Sequence, residues 1–324
     1  MRWGIIGLGG LVRERVAPVF AYLPGSVIAA CVGSTPEKTR VFARQFGVER
    51  CYRGIEELAA DPDLDAIYVA TPNALHHPMV LAAARGGKHV LCEKPLALAR
   101  EHGIEMIEAC RRAGVILRVA FQIRLEATLN RARELIRSGA LGELRAVVFD
   151  RNAPVGQRTG WRMDFAQGGI VFDVAVHLID QMRWLTGLEF SEVSAYSHPD
   201  RRAGLPDDSI AILARLGGSC HAALRATREL PYVANQLTIE GTRGTLATSE
   251  LRWTERQTLT IRTDAGAVEE HFPATPLYQR EFETFEREVA GAAGVLATGE
   301  DGLRALEVTQ AVLDSINSRR SVAL

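Results

Sequence analysis

Gly86-Gly87-Lys88-His89-Val90-Leu91-Cys92-Glu93-Lys94-Pro95 is the stretch on which the fold turns. Two glycines end a helical segment, His89 to Cys92 make a short apolar strand, and Glu93, Lys94 and Pro95 follow its carboxyl end. A strand fed by a helix in this way is the repeating unit of a parallel α/β sheet, where ligands bind beyond the carboxyl ends of the strands. A lysine there can anchor an anion, act as an acid or base, or stand solvated in a loop. Pro95 restricts Lys94 to extended conformations, which gives the ammonium group a set direction.

The same alternation runs back to the N-terminus. Arg2 to Ile6 is strand-like, and Gly7-Leu8-Gly9-Gly10-Leu11-Val12 follows as a dinucleotide-binding glycine pattern with Val12 in place of the third glycine. Gly7 permits the tight turn. Gly9 lets the backbone approach a pyrophosphate at the next helix, and Gly10 and Leu11 complete that turn. Pro18 is expected to kink the helix that follows or to mark its late start. The second strand, Ser26 to Val32, ends in Gly33-Ser34-Thr35-Pro36-Glu37-Lys38. An NAD site places a carboxylate here for the ribose hydroxyls. This chain offers Ser34 and Thr35 instead, with Lys38 and Arg40 close by, a set that accepts a 2′-phosphate and favours NADP over NAD. Ser34 and Thr35 also suit the N-cap of a helix from Pro36 to Phe46. A third strand, Ala66 to Ala70, leads into Thr71-Pro72-Asn73 and His76-His77. Helices Ala74–Arg85 and Ala97–Ala113 and a strand Val115–Phe121 complete a doubly wound Rossmann domain.

With 324 residues, two domains are expected. A chain 47% apolar and 24% charged is globular in composition, and a net charge of −1 without a long basic run speaks against a nucleic-acid partner. No apolar stretch reaches the length of a membrane span. The strand-like run directly after Met1 leaves no room for a signal peptide. The cysteines, Cys31, Cys51, Cys92, Cys110 and Cys220, are odd in number and lack Cys-x-x-Cys spacing. Reduced thiols in a cytoplasmic protein are expected, with no metal site.

From Leu144 the pattern changes to short β-rich runs: Leu144–Asn152, Ser191–Ser197, Ser209–Leu216, Cys220–Thr227, Leu237–Gly241 and Leu259–Arg262. Glycine-rich turns join several of them, so an α+β domain with a large, mainly antiparallel sheet is expected. Helices Leu277–Ala290 and Asp301–Ser318 close the chain. The expected division is 1–121 for the dinucleotide domain and 122–324 for substrate binding and oligomerisation. Within the second part lies Gly168-Gly169-Ile170-Val171-Phe172-Asp173-Val174-Ala175-Val176-His177-Leu178-Ile179-Asp180. On a regular helix Asp173, His177 and Asp180 share one face. A lone histidine on an apolar face is more often a core residue, but two carboxylates at this spacing favour a working imidazole oriented by Asp173. The same three as metal ligands is the weaker reading.

The glycine pattern, Ala70-Thr71-Pro72-Asn73 and Glu93-Lys94-Pro95 together resemble the glucose–fructose oxidoreductase/inositol dehydrogenase/MocA family. So do Phe121-Gln122-Ile123-Arg124, Gly139-Ala140-Leu141-Gly142-Glu143-Leu144 and the Gly-Gly-x-x-x-Asp-x-x-x-His run from Gly168 to His177. The resemblance implies Lys94 as the catalytic lysine beside a nicotinamide, often before a cis Pro95, with Asp173 and His177 assisting. It implies Thr71, Pro72, Asn73, His76, Glu93 and Gln122 along the cofactor, and Trp161-Arg162 resembles a pair in the family's sugar reductases. The function it implies is hydride transfer to or from a secondary alcohol or ketone of a sugar, inositol or related polyol, by a homodimer or homotetramer. Two other activities share the scaffold: NAD-using glycosidases that oxidise, eliminate and re-reduce, and non-enzymatic dinucleotide-binding regulators.

Overall fold

The structure is a computed structural model that describes residues 1–152, 160–231, 234–249, 251 and 254–324. The chain divides into two compact units, Met1–Gln122 with Leu277–Leu306, and Ile123–Pro276 with Glu307–Leu324.

The first unit is built on a 7-stranded sheet. Arg2–Ile6 is an inner strand, parallel to Val27–Val32 on one side and to the central strand Ala66–Val69 on the other. His89–Cys92 and Leu117–Val119 continue the parallel order. This is the doubly wound arrangement expected from the alternation of short apolar strands and helices. Ala66–Val69 is buried at all positions, as a strand covered on both faces must be. The helix after the glycines departs from a regular α-helix. Val12–Val16 form a π-helical turn, and Ala17–Tyr22 tighten into a 3-10 helix. Pro18 supplies the reason, because it has no N–H with which to continue the i→i−4 ladder.

One expectation is corrected here. The helix expected over Leu277–Ala290 forms as Leu277–Val289, but it belongs to the first unit and not to the second. Phe282 on its apolar face packs 4.8 Å from Trp3, 5.0 Å from Phe20 and 5.3 Å from Tyr68, between ring centroids. Each such buried aromatic contributes roughly 2–3 kcal/mol of transfer free energy. Glu286 accepts from Trp3 Nε1 at 2.9 Å and from Ser26 Oγ at 2.6 Å, which fixes the helix's rotation. The chain then adds Ala297–Thr298 as an antiparallel edge strand beside Leu117–Val119. None of this is local in sequence, so periodicity could not reveal it.

The second unit holds a 9-stranded sheet in the order Gly266–Phe272, Gln257–Thr263, Gly244–Thr248, Ala234–Gly241, Leu144–Asn152, Cys220–Thr227, Ser209–Leu216, Phe190–His198, Val322–Ala323. Neighbours are antiparallel except one pair, Leu144–Asn152 with Cys220–Thr227. Strands Gly244–Thr248, Gly266–Phe272 and Val322–Ala323 were not evident from the sequence, since Gly266–Phe272 buries no position and Val322–Ala323 has two residues. Helices Ala127–Arg137 and Val176–Thr186 belong to this unit.

Gly7 shows how tightly the strand ends are joined. It sits at φ +98°, and a Cβ there would overlap the carbonyl oxygen of Ala70 and come within 2.6 Å of Thr71 N. Gly9 has nothing within 4 Å of its Cβ position. Gly7→Ala is therefore expected to cost at least about 2 kcal/mol, from the strained φ and the backbone overlap, while Gly9→Ala melts like the parent. Thermal unfolding of the two variants checks this, and an unshifted Gly7→Ala would contradict the close approach.

Candidate functional site

In the first unit the residues just past four strands are linked in a row. Gly7 N donates to Val32 O at 3.0 Å, Ala70 N to Ile6 O at 2.9 Å, Glu93 N to Val69 O at 2.9 Å and Ala120 N to Cys92 O at 2.8 Å. The glycine turn, the Thr71-Pro72-Asn73 turn and Glu93-Lys94 thus share one sheet edge, the carboxyl edge where α/β folds bind ligands. The Lys94–Pro95 peptide is cis. Lys94 is half-buried and its N–H donates to Glu93 Oε2 at 3.2 Å. Glu93 Oε1 accepts from Tyr68 Oη at 2.6 Å. Burial, then the charge of Glu93, hold the Tyr68 phenol well above its ordinary range, so Tyr68 stays a donor.

His76, expected along the cofactor, is fully buried. Its Nδ1 lies 2.8 Å from Pro95 O and its Nε2 3.1 Å from Thr71 O. Burial outweighs the pull of those carbonyls and lowers its pKa, so the ring is neutral and only one nitrogen donates at a time. That corrects its expected role: it braces the Thr71 turn against the Lys94-Pro95 turn. Two other polar atoms have no such engagement. Thr71 Oγ1 and Gln122 Oε1 are buried and lack a hydrogen-bond partner, although Gln122 Nε2 donates to Tyr278 Oη at 3.2 Å. Asn73 is buried, and Pro72 O accepts from Leu75 N at 2.8 Å.

At the end of the second strand, Gly33, Ser34, Thr35, Thr39, Arg40, Cys51, Tyr52 and Arg53 surround a cavity of about 290 Å³. Thr35 Oγ1 caps the helix Pro36–Phe46 through Lys38 N at 3.2 Å, and Lys38 Nζ donates to Ser34 Oγ at 3.3 Å. Tyr52 and Arg53 carry no local signal and directly follow the next, two-residue strand, Arg50–Cys51. Open space over Gly9, unpartnered Thr71 and Gln122 atoms and this cavity all fit an extended dinucleotide. Gly10 is exposed and Leu11 half-buried in the same turn.

Beneath the edge lies a carboxyl that sequence reading missed. Glu281, on the helix Leu277–Val289, is fully buried, and neither carboxyl oxygen has a hydrogen-bond partner. Burial first, and the charge of Glu93 second, push its pKa well above the usual carboxylate range and favour the neutral acid. Tyr278 is raised by burial, then by the same two carboxyls.

In the second unit, Gly168-Gly169 leads into a π-helical turn, Val171–Ala175, and then the α-helix Val176–Thr186. The regular face expected for Asp173, His177 and Asp180 is therefore interrupted, because a π turn holds one residue more than an α turn. Asp207 accepts from Val171 N at 2.9 Å and pairs with the buried Arg201, which also donates to Gly168 O at 3.2 Å. Asp173 Oδ2 takes Arg228 Nη2 at 3.1 Å and lies 3.9 Å from Arg162 Nε. Arg162 stacks 4.5 Å over the Trp161 ring. His177 is buried. Asp180, considered as a ligand or working group, closes instead on Arg124 in a fully buried fork, Nε–Oδ2 2.9 Å and Nη2–Oδ1 2.5 Å. No cluster of three metal-ligating side chains occurs among the described residues. Arg124 ends the Phe121-to-Arg124 run, but nothing in the sequence pairs it with Asp180 or Arg228 with Asp173.

Comparison with known proteins agrees with the fold of both units. Residues 1–121 match the model of an oxidoreductase family with an NAD-binding Rossmann fold, and residues 129–247 match the GFO/IDH/MocA C-terminal domain. The chain is 32% identical to 1,5-anhydro-D-fructose reductase of Ensifer adhaerens, over 96% of this chain and 95% of that one. It is 30% identical to D-xylose 1-dehydrogenase (NADP(+)) 2 of Haloferax volcanii, over the full length of both. Among solved structures, an aldose-aldose oxidoreductase from Caulobacter crescentus complexed with glycerol matches with a TM-score of 0.89 at 28% identity, over 100% of this chain and 99% of that one.

Glu281 gives a pH prediction. Its folded pKa lies above the unfolded value near 4.5, so between those two values the folded state binds the extra proton. Stability is then fully present below the unfolded value and falls as pH rises, by about 1.4 kcal/mol per pH unit for one group. Glu281→Gln should remove that slope and melt above the parent at pH 7 and higher. Chemical denaturation across pH 4–8 measures it; parallel pH profiles for the two proteins would refute a neutral Glu281.

Proposed function

This chain belongs to the GFO/IDH/MocA oxidoreductase family, and we propose that within it the protein is an NADP-preferring enzyme acting on a secondary alcohol or ketone of a sugar, inositol or related polyol. The observation that carries the cofactor choice is the cavity at the second strand's end, which among the described residues is lined by Arg40, Arg53 and hydroxyl groups and by no carboxylate. A 2′-phosphate there would meet cations and donors, whereas an NAD site would keep an acid for the ribose. The NADP(+) named for the Haloferax volcanii relative is in keeping with this choice. The sugars and anhydro-sugar named for the relatives support the substrate class.

Bound nicotinamide supplies the hydride donor or acceptor. The roles proposed for the chain's own residues concern binding and protons. Gly7, Gly9, Gly10 and Leu11 would receive the pyrophosphate, Ser34, Thr35 and Lys38 the adenosine end, and Thr71, Pro72, Asn73 and Gln122 the nicotinamide half. Lys94 Nζ would take the substrate hydroxyl proton during oxidation and return it during reduction, its charge stabilising a developing alkoxide. Glu93, fixed by Tyr68, orients the Lys94 backbone. His177 is the second proton carrier proposed, with Asp173, Trp161 and Arg162 shaping its surroundings. The sheet face that exposes Val148, Tyr196 and Leu213 is proposed to meet a second copy of the chain. The five free cysteines support a cytoplasmic setting.

Two measurements test the reading. Fluorescence titration is expected to show NADPH binding more tightly than NADH, with Arg40→Ala weakening NADPH alone by about tenfold, the size of one lost hydrogen bond to a charged group. Equal affinities would remove the NADP preference. With a panel of sugars and polyols followed by nicotinamide absorbance, Lys94→Ala should lower turnover by about 10²–10⁴-fold at little-changed cofactor affinity. A variant retaining more than about a tenth of the parental rate would reduce Lys94 to a loop residue.

A further inference from the structure

Cys31 and Cys51 are register partners on adjacent parallel strands, Val27–Val32 and Arg50–Cys51, and Tyr52 N donates to Cys31 O at 3.1 Å. Neighbouring strands run about 4.8 Å apart, within the roughly 4.4–6.8 Å of Cα separation that a disulfide spans. The two thiols differ in access. Cys31 is buried in the sheet, while Cys51 is the one exposed thiol among the five and lines the cavity beside Arg40, Tyr52 and Arg53. Cys92, Cys110 and Cys220 are all buried.

We propose that Cys51 is a modification site for hydroperoxides, that Cys31 is its resolving thiol, and that a dinucleotide in the adjoining cavity shields it. The shielding clause rests on the cavity's assignment as the adenosine end of the cofactor site; the thiol chemistry does not. In the first step the Cys51 sulfur bonds to one peroxide oxygen and the O–O bond breaks. The other oxygen takes the Cys51 thiol proton and leaves as water or an alcohol, and Cys51 becomes a sulfenic acid. In the second step the Cys31 sulfur attacks the Cys51 sulfur. The S–O bond breaks and the departing hydroxide takes the Cys31 proton as water, leaving a Cys31–Cys51 disulfide. Two thiols lose two electrons and one hydroperoxide gains them. Cys31 cannot be the first to react: it is out of reach, and burial, followed by the neighbouring Cys51, pushes it up to about 12, so it is held as the thiol.

The experiment treats the reduced full-length protein with a small excess of hydrogen peroxide, blocks free thiols and maps them by mass spectrometry. A linked Cys31–Cys51 peptide, lost on treatment with dithiothreitol, is expected, with Cys92, Cys110 and Cys220 unmodified. Cys31→Ser should instead accumulate a dimedone adduct at Cys51, and Cys51→Ser should give neither product. NADP at ten times its Kd should slow Cys51 oxidation about tenfold, as competition for one site requires. Nicotinamide mononucleotide, which lacks the adenosine half, should not. Oxidation of Cys51 no faster than that of the three buried cysteines would overturn the site. Sulfenic acid without a link to Cys31 would overturn the resolving role. A link that forms equally fast under NADP, in a protein whose fluorescence titration shows NADP bound, would overturn the shielding and the cavity assignment while the thiol chemistry stands.

Discussion

The row of backbone hydrogen bonds across the first unit's carboxyl edge is the constraint on which its site depends. Gly7, Ala70, Glu93 and Ala120 each give an N–H to the end of the neighbouring strand. Each turn therefore starts at a fixed height, and the residues that follow, Leu8, Thr71 and Lys94, inherit their positions from the sheet. Gly7 is required at the closest approach, where any side chain would meet Ala70. Tyr68 and His76 then tie down what the backbone leaves free. Tyr68 holds Glu93 from below, and His76 bridges the turns that contain Thr71 and Pro95. Positioning by such buried groups is how an enzyme holds acid–base residues without cost at the moment of reaction.

Much of this was legible in the sequence, because buried parallel strands write themselves as short apolar runs and half-exposed antiparallel strands as alternating ones. His89–Cys92, Leu144–Asn152, Ser209–Leu216 and Cys220–Thr227 form with the bounds that pattern gives. Turn chemistry was equally readable at Gly7 and at Thr35. What could not be read were pairings between residues far apart in the chain. Phe282 against Trp3, Arg124 with Asp180, Arg228 with Asp173 and Tyr52 beside Ser34 all depend on tertiary approach, and no period or spacing announces them. The two π-helical turns were also invisible, since the apolar periodicity around an inserted residue still resembles that of an α-helix.

Both units pair buried acids with arginines. The second unit balances its acids with arginines: Asp180 with Arg124, Asp207 with Arg201, Asp173 with Arg228. Removing one partner from such a pair strands a buried charge, which typically costs about 3–5 kcal/mol. The first unit likewise pairs Glu288 with Arg118 and Asp61 with Arg50. It also buries Glu281 with no hydrogen-bond partner on either carboxyl oxygen, and burial pushes that group toward the neutral acid.

The π turn at Val171–Ala175 makes the relation of Asp173 to His177 a matter of chain length. It is a helical turn that has absorbed one extra residue, and its widened loop closes from Val176 N back to Val171 O. Point substitutions in it change side chains but leave the count intact. Losing a single residue would let the turn relax to α geometry and swing everything before it by about 100° around the axis. Gly168, Gly169 and Asp173 would then face a different direction from His177, although every one of those side chains would still be present. The spacing between them is a reading frame for the helix, open to insertion and deletion and closed to ordinary mutation.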